Sequence, residues 1–307
     1  MRVIRQHTLG GPEVLEVVET ERPAPAPGEV LVRVHATGVN PADHKVRSGY
    51  VQFFGEPPFV LGHEFSGVVD EVGEGAAGFR PGDEVYGWVT PPHGSHADYV
   101  LVPESAIAAK PTTLDHVHAG ALGIAALTAY QTLVNLAQVQ PGQRVLVHAA
   151  AGGVGHFAVQ IAKALGAYVI GTARTANHSF LRDADELLDY TTADFSGLRD
   201  VDVVIDTISG SYGPRSLRTL KRGGILIDVV GVGVERTAVT EQAQADGVRF
   251  VEYYLAPTPA DLSGFADLVD RAGIRPSIAE TLPLTDAAKA HRLSESGRVR
   301  GKIALVP

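Results

Sequence analysis

The residues best arranged for chemistry lie in Arg144-Val-Leu-Val-His-Ala-Ala-Ala-Gly-Gly-Val-Gly155-His-Phe-Ala-Val-Gln-Ile-Ala-Lys163. An apolar strand runs into a turn of small residues, and a helix leaves it. Gly152 and Gly153 carry no Cβ, so backbone N–H groups from Ala151 through Val154 can approach a pyrophosphate at the helix start. Gly155 lets that helix lie close to the strand, with Val159 and Ala162 facing the sheet and Lys163 reaching solvent. A tight strand-to-helix turn without a ligand would carry the same glycines. Dinucleotide binding is favoured because strand, turn, helix and a second strand at Tyr168–Gly171 follow in order.

The end of the second strand bears on the choice of dinucleotide. An NAD site places an Asp or Glu there, to accept from the ribose 2′-hydroxyl. This chain reads Ile170-Gly-Thr-Ala-Arg174-Thr-Ala-Asn177-His178, with no carboxylate. Arg174 can grip a 2′-phosphate through two parallel hydrogen bonds, and Thr172 and Asn177 can add neutral ones. A solvated loop arginine is the plain alternative. NADPH is the expected cofactor.

Elements that position these residues follow from hydrophobic periodicity. The first 110 or so residues read as β-rich: Glu29–Val34 alternates, Phe65–Val72, Glu84–Trp88 and Ala97–Val102 resemble it, and Gly73, Gly75, Gly78 and Pro81-Gly82-Asp83 punctuate them. From Leu114 to Leu136 one or two small-residue helices are expected. Apolar strands then alternate with helices. The strands are Arg144–His148, Tyr168–Gly171, Leu187–Asp189, Val201–Asp206, Ile225–Val229 and Arg249–Tyr254; the helices include His156–Leu165, Ala176–Ala184 and Tyr212–Leu220. Such alternation marks a doubly wound parallel sheet covered on both faces. The tail adds a helix from Asp261, a strand near Ser277–Glu280, a helix Thr285–Ser296 and a strand Lys302–Val306. It is expected to rejoin the β-rich part, giving one domain from residues 1–122 and 257–307 and an inserted one from 123–256.

Composition sets the outer bounds. The 307 residues are 45% hydrophobic and 20% charged; at about one domain per 150 residues that predicts two domains with real cores. With 26 Lys+Arg against 35 Asp+Glu, the net charge of −9 disfavours a nucleic-acid partner. The absence of cysteine excludes disulfides, thiolate catalysis and cysteine zinc sites. Ala119–Leu136 is too polar and too rich in small residues to span a membrane, and Met1–His7 shows no secretory pattern. A cytoplasmic protein is the expectation.

In order along the chain, the motifs Gly38-Val-Asn40-Pro-Ala-Asp43, Arg47-Ser-Gly49, Leu61-Gly-His-Glu-Phe-Ser-Gly-Val-Val69, Pro81-Gly-Asp-Glu-Val85, Leu127-Thr-Ala-Tyr130, the Ala149–Gly155 loop and the ending with Gly301-Lys302 resemble the medium-chain dehydrogenase/reductase superfamily. The resemblance is to its zinc-free quinone oxidoreductase (zeta-crystallin-like) branch, and Arg174 with Asn177–Phe180 resembles the reticulon-4-interacting-protein-like members. It implies a GroES-like β-barrel domain from both chain ends, an inserted Rossmann domain, and a cofactor in the cleft between them. It also implies a homodimer formed by edge-to-edge pairing of Arg249–Tyr254.

Zinc members of that superfamily place a cysteine where Asn40 stands, a histidine at His63 and often a glutamate at Glu64, with a further cysteine near Ile124. Here one histidine and one carboxylate remain, below the three protein ligands of a catalytic zinc site. His63-Glu64 is then expected to keep a structural or electrostatic role. His93-His96 and His116-His118 are expected to be surface histidines. Their four-cysteine structural lobe is also missing.

Without a metal to acidify an alcohol, reduction of an electrophilic acceptor is the easier chemistry: a quinone, or the β-carbon of an α,β-unsaturated carbonyl. Asn40 would donate to a carbonyl or to a nicotinamide-ribose hydroxyl, Asp43 would orient its neighbours, and Tyr50 would either hydrogen-bond the developing enolate or pack at the rim of a loop. Thr128, Val230, Gly231 and Tyr253 match positions beside the cofactor in the family, and Phe53, Phe54 and Tyr254 would wall the acceptor site. The rival readings are an enoyl-thioester reductase and a non-catalytic NADPH-binding protein.

Overall fold

In a computed structural model describing residues 1–52, 54–231 and 233–307, the chain divides into Met1–Leu127 with Pro257–Pro307, and Thr128–Ala256. The first unit opens with β1 (Arg2–Gln6), β2 (Glu16–Glu19), β3 (Glu29–Val39), α1 (Pro41–Arg47), β4 (Phe59–Val60) and β5 (Glu64–Val72). It continues through β6 (Glu84–Trp88), β7 (Tyr99–Pro103), β8 (Ile107–Ala109), α2 (His116–Ala119) and α3 (Ala125–Tyr130), whose last turns cross into the second unit. That unit holds β9 (Arg144–Val147), α4 (Gly153–Ala164), β10 (Tyr168–Thr172), β11 (Glu186–Leu188), β12 (Val201–Asp206), α5 (Tyr212–Leu217), β13 (Leu220–Asp228), α6 (Thr237–Asp246) and β14 (Arg249–Glu252). The chain returns with α7 (Pro259–Ala272), β15 (Ile278–Pro283), α8 (Ala287–Glu295) and β16 (Lys302–Val306).

In the first unit, β3 organises the main sheet. It pairs antiparallel with β5 along most of its length, with β7 over Glu29–Arg33, and with β16 over Thr37–Val39. Its Val30, Val32 and Val34 pack on Phe65, Val69, Val85, Val100 and Val102. Leu31, on the opposite face, is buried too, so the simple alternation expected there gives way to cover on both sides. The β16 register sets Ile303 opposite Val39, and this brings the end of the chain beside Asn40.

The second unit is a six-stranded parallel sheet in the order β11-β10-β9-β12-β13-β14. Every residue of β12 is buried, as an apolar run between two helical layers requires. Sheet order reverses between β9 and β12, and ligands of such sheets bind beyond the carboxyl ends of the strands at that point. The helix expected over Ala176–Ala184 does not form. Thr175–Phe180 is a 3-10 turn instead, because Asn177, His178 and Ser179 are weak helix formers and Asp189 fastens Thr175 through its N–H (2.6 Å) and its hydroxyl (2.5 Å). Among the described residues no helix is long and apolar enough to cross a membrane.

Two buried histidines tie stability to pH. Burial, with the charge of Arg215 behind it, drives His148 down to about 3. Burial likewise drives His291 down to about 3. Both folded values lie below the unfolded one, so their stabilisation is complete above about pH 6.5 and is lost as pH falls toward 3. Asp206, pushed up to about 6 by burial, has the opposite sign and offsets one proton between about pH 4 and 6. Stability should therefore fall by at least about 1.4 kcal/mol per pH unit across that window, with the lowered His35, His44, His96 and His116 adding in the same direction. Denaturant midpoints measured through it check this; a flat profile would contradict it.

Candidate functional site

The glycine loop forms as a strand-to-helix turn. After β9, Ala149 takes a left-handed φ of 44° and its carbonyl accepts from Gly152 N at 2.8 Å. The chain then enters α4, a 12-residue helix whose N-cap, Gly152, supplies no side-chain acceptor. The first-turn N–H groups are thus left for an anion, and the helix dipole favours one. Gly155 sits where a Cβ would meet Ala149 O at 2.3 Å and Ala150 Cα at 2.8 Å, whereas at Gly152 the nearest atom would be Ala149 O at 3.2 Å. Gly153 opens α4, Ala151 is buried behind the turn, and Val154 is partly exposed on it.

Thr172 lies inside the loop, not outside it. It is fully buried, and its hydroxyl lies 3.2 Å from His148 Nδ1 and 3.3 Å from Ala149 N. In the structure the hydroxyl engages the turn itself. Arg174 is exposed beyond β10, with Nε donating to Tyr190 Oη at 3.0 Å, and its carbonyl accepts from Asn177 N at 2.7 Å. A carboxylate does stand nearby, supplied by the neighbouring strand. Asp189 accepts from Thr175 and also from Thr191 N (2.9 Å) and Oγ1 (2.6 Å); these hydrogen bonds hold it well below the usual carboxylate range. Its acceptor capacity is spent on the loop. Tyr190 and Asp189 were missed because the motif was read along one strand; the parallel register of Thr172 with Leu188 brings them alongside.

The remaining positions of this unit are more constrained than their motifs suggest. Val230 N donates to Asp228 Oδ1 at 2.9 Å, and Gly231, at a φ of 81°, offers its carbonyl to Arg236 at 2.6 Å. Tyr253 Oη donates to Gln131, which in turn donates to Ala256 O at 3.0 Å. Thr128 is buried on α3, where its carbonyl accepts from the Thr132 hydroxyl at 2.8 Å.

The first unit gathers a buried polar cluster where β3, β5, β16 and α1 meet. Asn40 caps α1 in a reciprocal box with Asp43, whose Oδ2 accepts from Asn40 N at 2.7 Å. Asp43 Oδ1 accepts from Gly62 N at 3.0 Å and lies 2.7 Å from His63 Nδ1. The Asn40 amide reaches the other way, Nδ2 donating to Glu64 Oε1 at 2.8 Å and Oδ1 accepting from Lys302. Lys302 Nζ also lies 2.8 Å from Glu64 Oε1, and Ile124 N donates to Oε2 at 2.6 Å. Gly38 makes room for this: a Cβ there would stand 2.0 Å from Glu64 Oε1.

Tyr50 does not join the cluster. It is 54% exposed, with Lys45 Nζ 5.9 Å from its ring centroid. Tyr254 is also exposed, Phe54 stands edge-on to His63 at 6.2 Å, and Phe53 lies outside the described residues. His96, expected at the surface, is fully buried, because its backbone pairs with Leu61 and Ile4 and its ring packs on His291. Among the described residues no group of three or more His, Cys, Asp or Glu is placed to hold a metal ion.

Comparison with known proteins completes the picture. Residues 26–112 match the alcohol dehydrogenase GroES-like domain and residues 182–305 a zinc-binding dehydrogenase domain. The chain is 33% identical to rat quinone oxidoreductase over all of its own length and 98% of that protein's. It is 32% identical to the mouse mitochondrial NAD(P)H oxidoreductase RTN4IP1, over 90% of this chain and 81% of that one. It superposes on Escherichia coli quinone oxidoreductase complexed with NADPH with a TM-score of 0.88 and 31% identity, across the full length of both.

Proposed function

The chain belongs to the medium-chain dehydrogenase/reductase superfamily, among its quinone oxidoreductases, and from that premise we propose that it is an NADPH-dependent, zinc-independent reductase of quinones or α,β-unsaturated carbonyls. The observation that carries the cofactor choice is Arg174, exposed beyond β10, while Asp189, which accepts from the next residue, Thr175, is saturated by threonine donors. NADPH in the superposable E. coli enzyme supports the same reading.

The residues present fit that cofactor. The uncapped first turn of α4 would hold the pyrophosphate, with Arg174 on the 2′-phosphate and Asn177 beside it, and the reduced nicotinamide supplies hydride when bound. Zinc-independence is supported by Lys302, whose ammonium already neutralises Glu64 and engages Asn40 where the zinc relatives would bind metal. The Asn40 amide spends one N–H on Glu64 and its oxygen on Lys302, which leaves a second N–H for the oxygen of the acceptor as charge develops there. Asp43 holds the capping turn, and the exposure of Tyr50 supports reading it as a rim contact.

Two features bear on assembly and location. β14 is the last strand of its sheet and pairs only with β13 on the described path, so its outer edge suits the homodimer the family forms. A cytoplasmic location remains our reading, although the RTN4IP1 relative is mitochondrial by name.

The test is anaerobic consumption of NADPH with matched panels of quinones and enones, run beside NADH. Arg174→Ala should weaken NADPH on the order of 10–100-fold, the worth of one or two charged hydrogen bonds, and leave NADH unchanged. Equal weakening of both would remove Arg174 from the 2′-phosphate. Saturable NADPH binding with no turnover on any acceptor would replace the reductase by a binding protein.

A further inference from the structure

We infer that His148 is a positioning residue for the dinucleotide: from within the fold it holds the Ala149–Gly152 turn in the shape that aims the first N–H groups of α4 at the pyrophosphate; the inference rests on the dinucleotide reading above. His148 follows β9 and is fully buried. It is tied to three elements that border the turn. Its N donates to Ile205 O on β12 at 3.0 Å, and its carbonyl accepts from Thr207 Oγ1, just past β12, at 2.9 Å. Its Nδ1 lies 3.2 Å from the hydroxyl of Thr172, at the end of β10, and its Nε2 lies 2.8 Å from the hydroxyl of Ser216 on α5. The rings of Phe195 and Tyr212 close on the imidazole at centroid distances of 4.5 and 5.0 Å.

The next residue is where the turn needs support. Ala149 holds a φ of 44°, a left-handed conformation that persists in a non-glycine residue where its surroundings over-determine it. Ala149 N donates to Thr172 Oγ1 at 3.3 Å, and Ala150 N donates to Thr172 O at 3.0 Å. A hydroxyl rotates about its C–O bond, and His148 Nδ1 is the group that fixes its direction from the other side. The imidazole thus acts on the turn through Thr172. Burial and the charge of Arg215 keep the ring neutral near pH 7, so it draws no phosphate itself and contributes by geometry. Both coenzymes carry the pyrophosphate, so the effect must fall on NADPH and NADH alike, unlike that of Arg174.

Two variants of nearly equal shape test this. His148→Leu removes every polar atom of the ring, whereas His148→Asn keeps, at the position of Nδ1, an amide atom that can meet the Thr172 hydroxyl. Calorimetric titration of His148→Leu should show affinity lowered on the order of tenfold, the worth of one hydrogen bond, and equally for NADPH and NADH. In turnover the loss should fall on KM for NADPH more than on kcat. His148→Asn should bind both nucleotides within about threefold of wild type, yet be the less stable of the two, because the rest of its amide is buried against Phe195 and Tyr212. Affinity and stability then rank the variants in opposite order, which a merely structural role would not produce. Thr172→Val reads the same link should His148→Leu fail to fold: it should lose about as much affinity, and the double variant no more than either alone.

A His148→Leu protein that binds as wild type does, affinities that follow stability, or a loss confined to NADPH would overturn the proposal. Wild-type protein that binds neither nucleotide would remove the dinucleotide reading, and this inference with it; a binding wild type beside an unimpaired His148→Leu removes only the latter.

Discussion

Lys302→Met should destabilise the protein by about 3–5 kcal/mol, the cost of leaving a buried charge without its partner. The side chains of Lys302 and Glu64 retain only 2% and 0% of their accessible surface. Removing the ammonium leaves the Glu64 carboxylate with two N–H donors, from Asn40 and Ile124, and no cation. The Asn40 oxygen loses its donor at the same time, so the amide proposed to meet the acceptor loses its orientation. Pairing the change with Glu64→Gln separates charge from shape. If the loss comes from an uncompensated carboxylate, the double variant should recover much of it, and the coupling read from the cycle should exceed about 1 kcal/mol. Denaturant midpoints of the four proteins decide. Additive losses, or a Lys302→Met protein as stable as wild type, would show that the ion pair contributes little in this setting.

That cluster also shows where sequence reading stops. The motifs around Asn40, Asp43 and Glu64 are visible as strings, and Gly301-Lys302 as an ending. What joins them is strand register: Ile303 opposite Val39 delivers Lys302 to a partner 262 positions earlier. No local pattern encodes that pairing. His63 was legible only as a remnant of metal binding, because its partner Asp43 is fixed by a capping box and a turn at Gly62, neither of which has a periodicity.

In the second unit the apolar strands were easy to read because a strand covered on both faces must be apolar throughout, as β12 is. Connections fared worse. α6 (Thr-Ala-Val-Thr-Glu-Gln-Ala-Gln-Ala-Asp) buries only Val239 and Ala243, too thin a stripe to announce a helix. β13 begins at Leu220, five residues ahead of the apolar run, because a register shift against β12 admits Lys221 to Gly224 into the strand. The Arg174 loop looked free of acid since Asp189 follows another strand, β11, and the structure replaces that expectation with an ionised carboxylate whose oxygens accept from Thr175 and Thr191.

The glycine loop yields the other large effect. Gly155→Val should abolish measurable NADPH binding, a loss of at least about 100-fold, while Gly152→Ala should retain most of it. The contrast comes from space. At Gly155 even a methyl would overlap the Ala149 carbonyl at 2.3 Å and the Ala150 backbone, neither of which can rotate away; at Gly152 the same carbonyl stands 3.2 Å off, and a few tenths of an ångström suffice. Valine must therefore drive the start of α4 away from β9. The N–H groups at that end then lose their common aim, and each hydrogen bond to a charged phosphate is worth about 1.5–3 kcal/mol, so losing two removes 100-fold or more. The displaced packing should also cost about 1–3 kcal/mol of stability. Calorimetric titration with NADPH, alongside far-UV circular dichroism to confirm that the sheet persists, separates lost binding from lost folding. A folded Gly155→Val protein that binds NADPH as wild type does would mean that the pyrophosphate is held somewhere other than the first turn of α4.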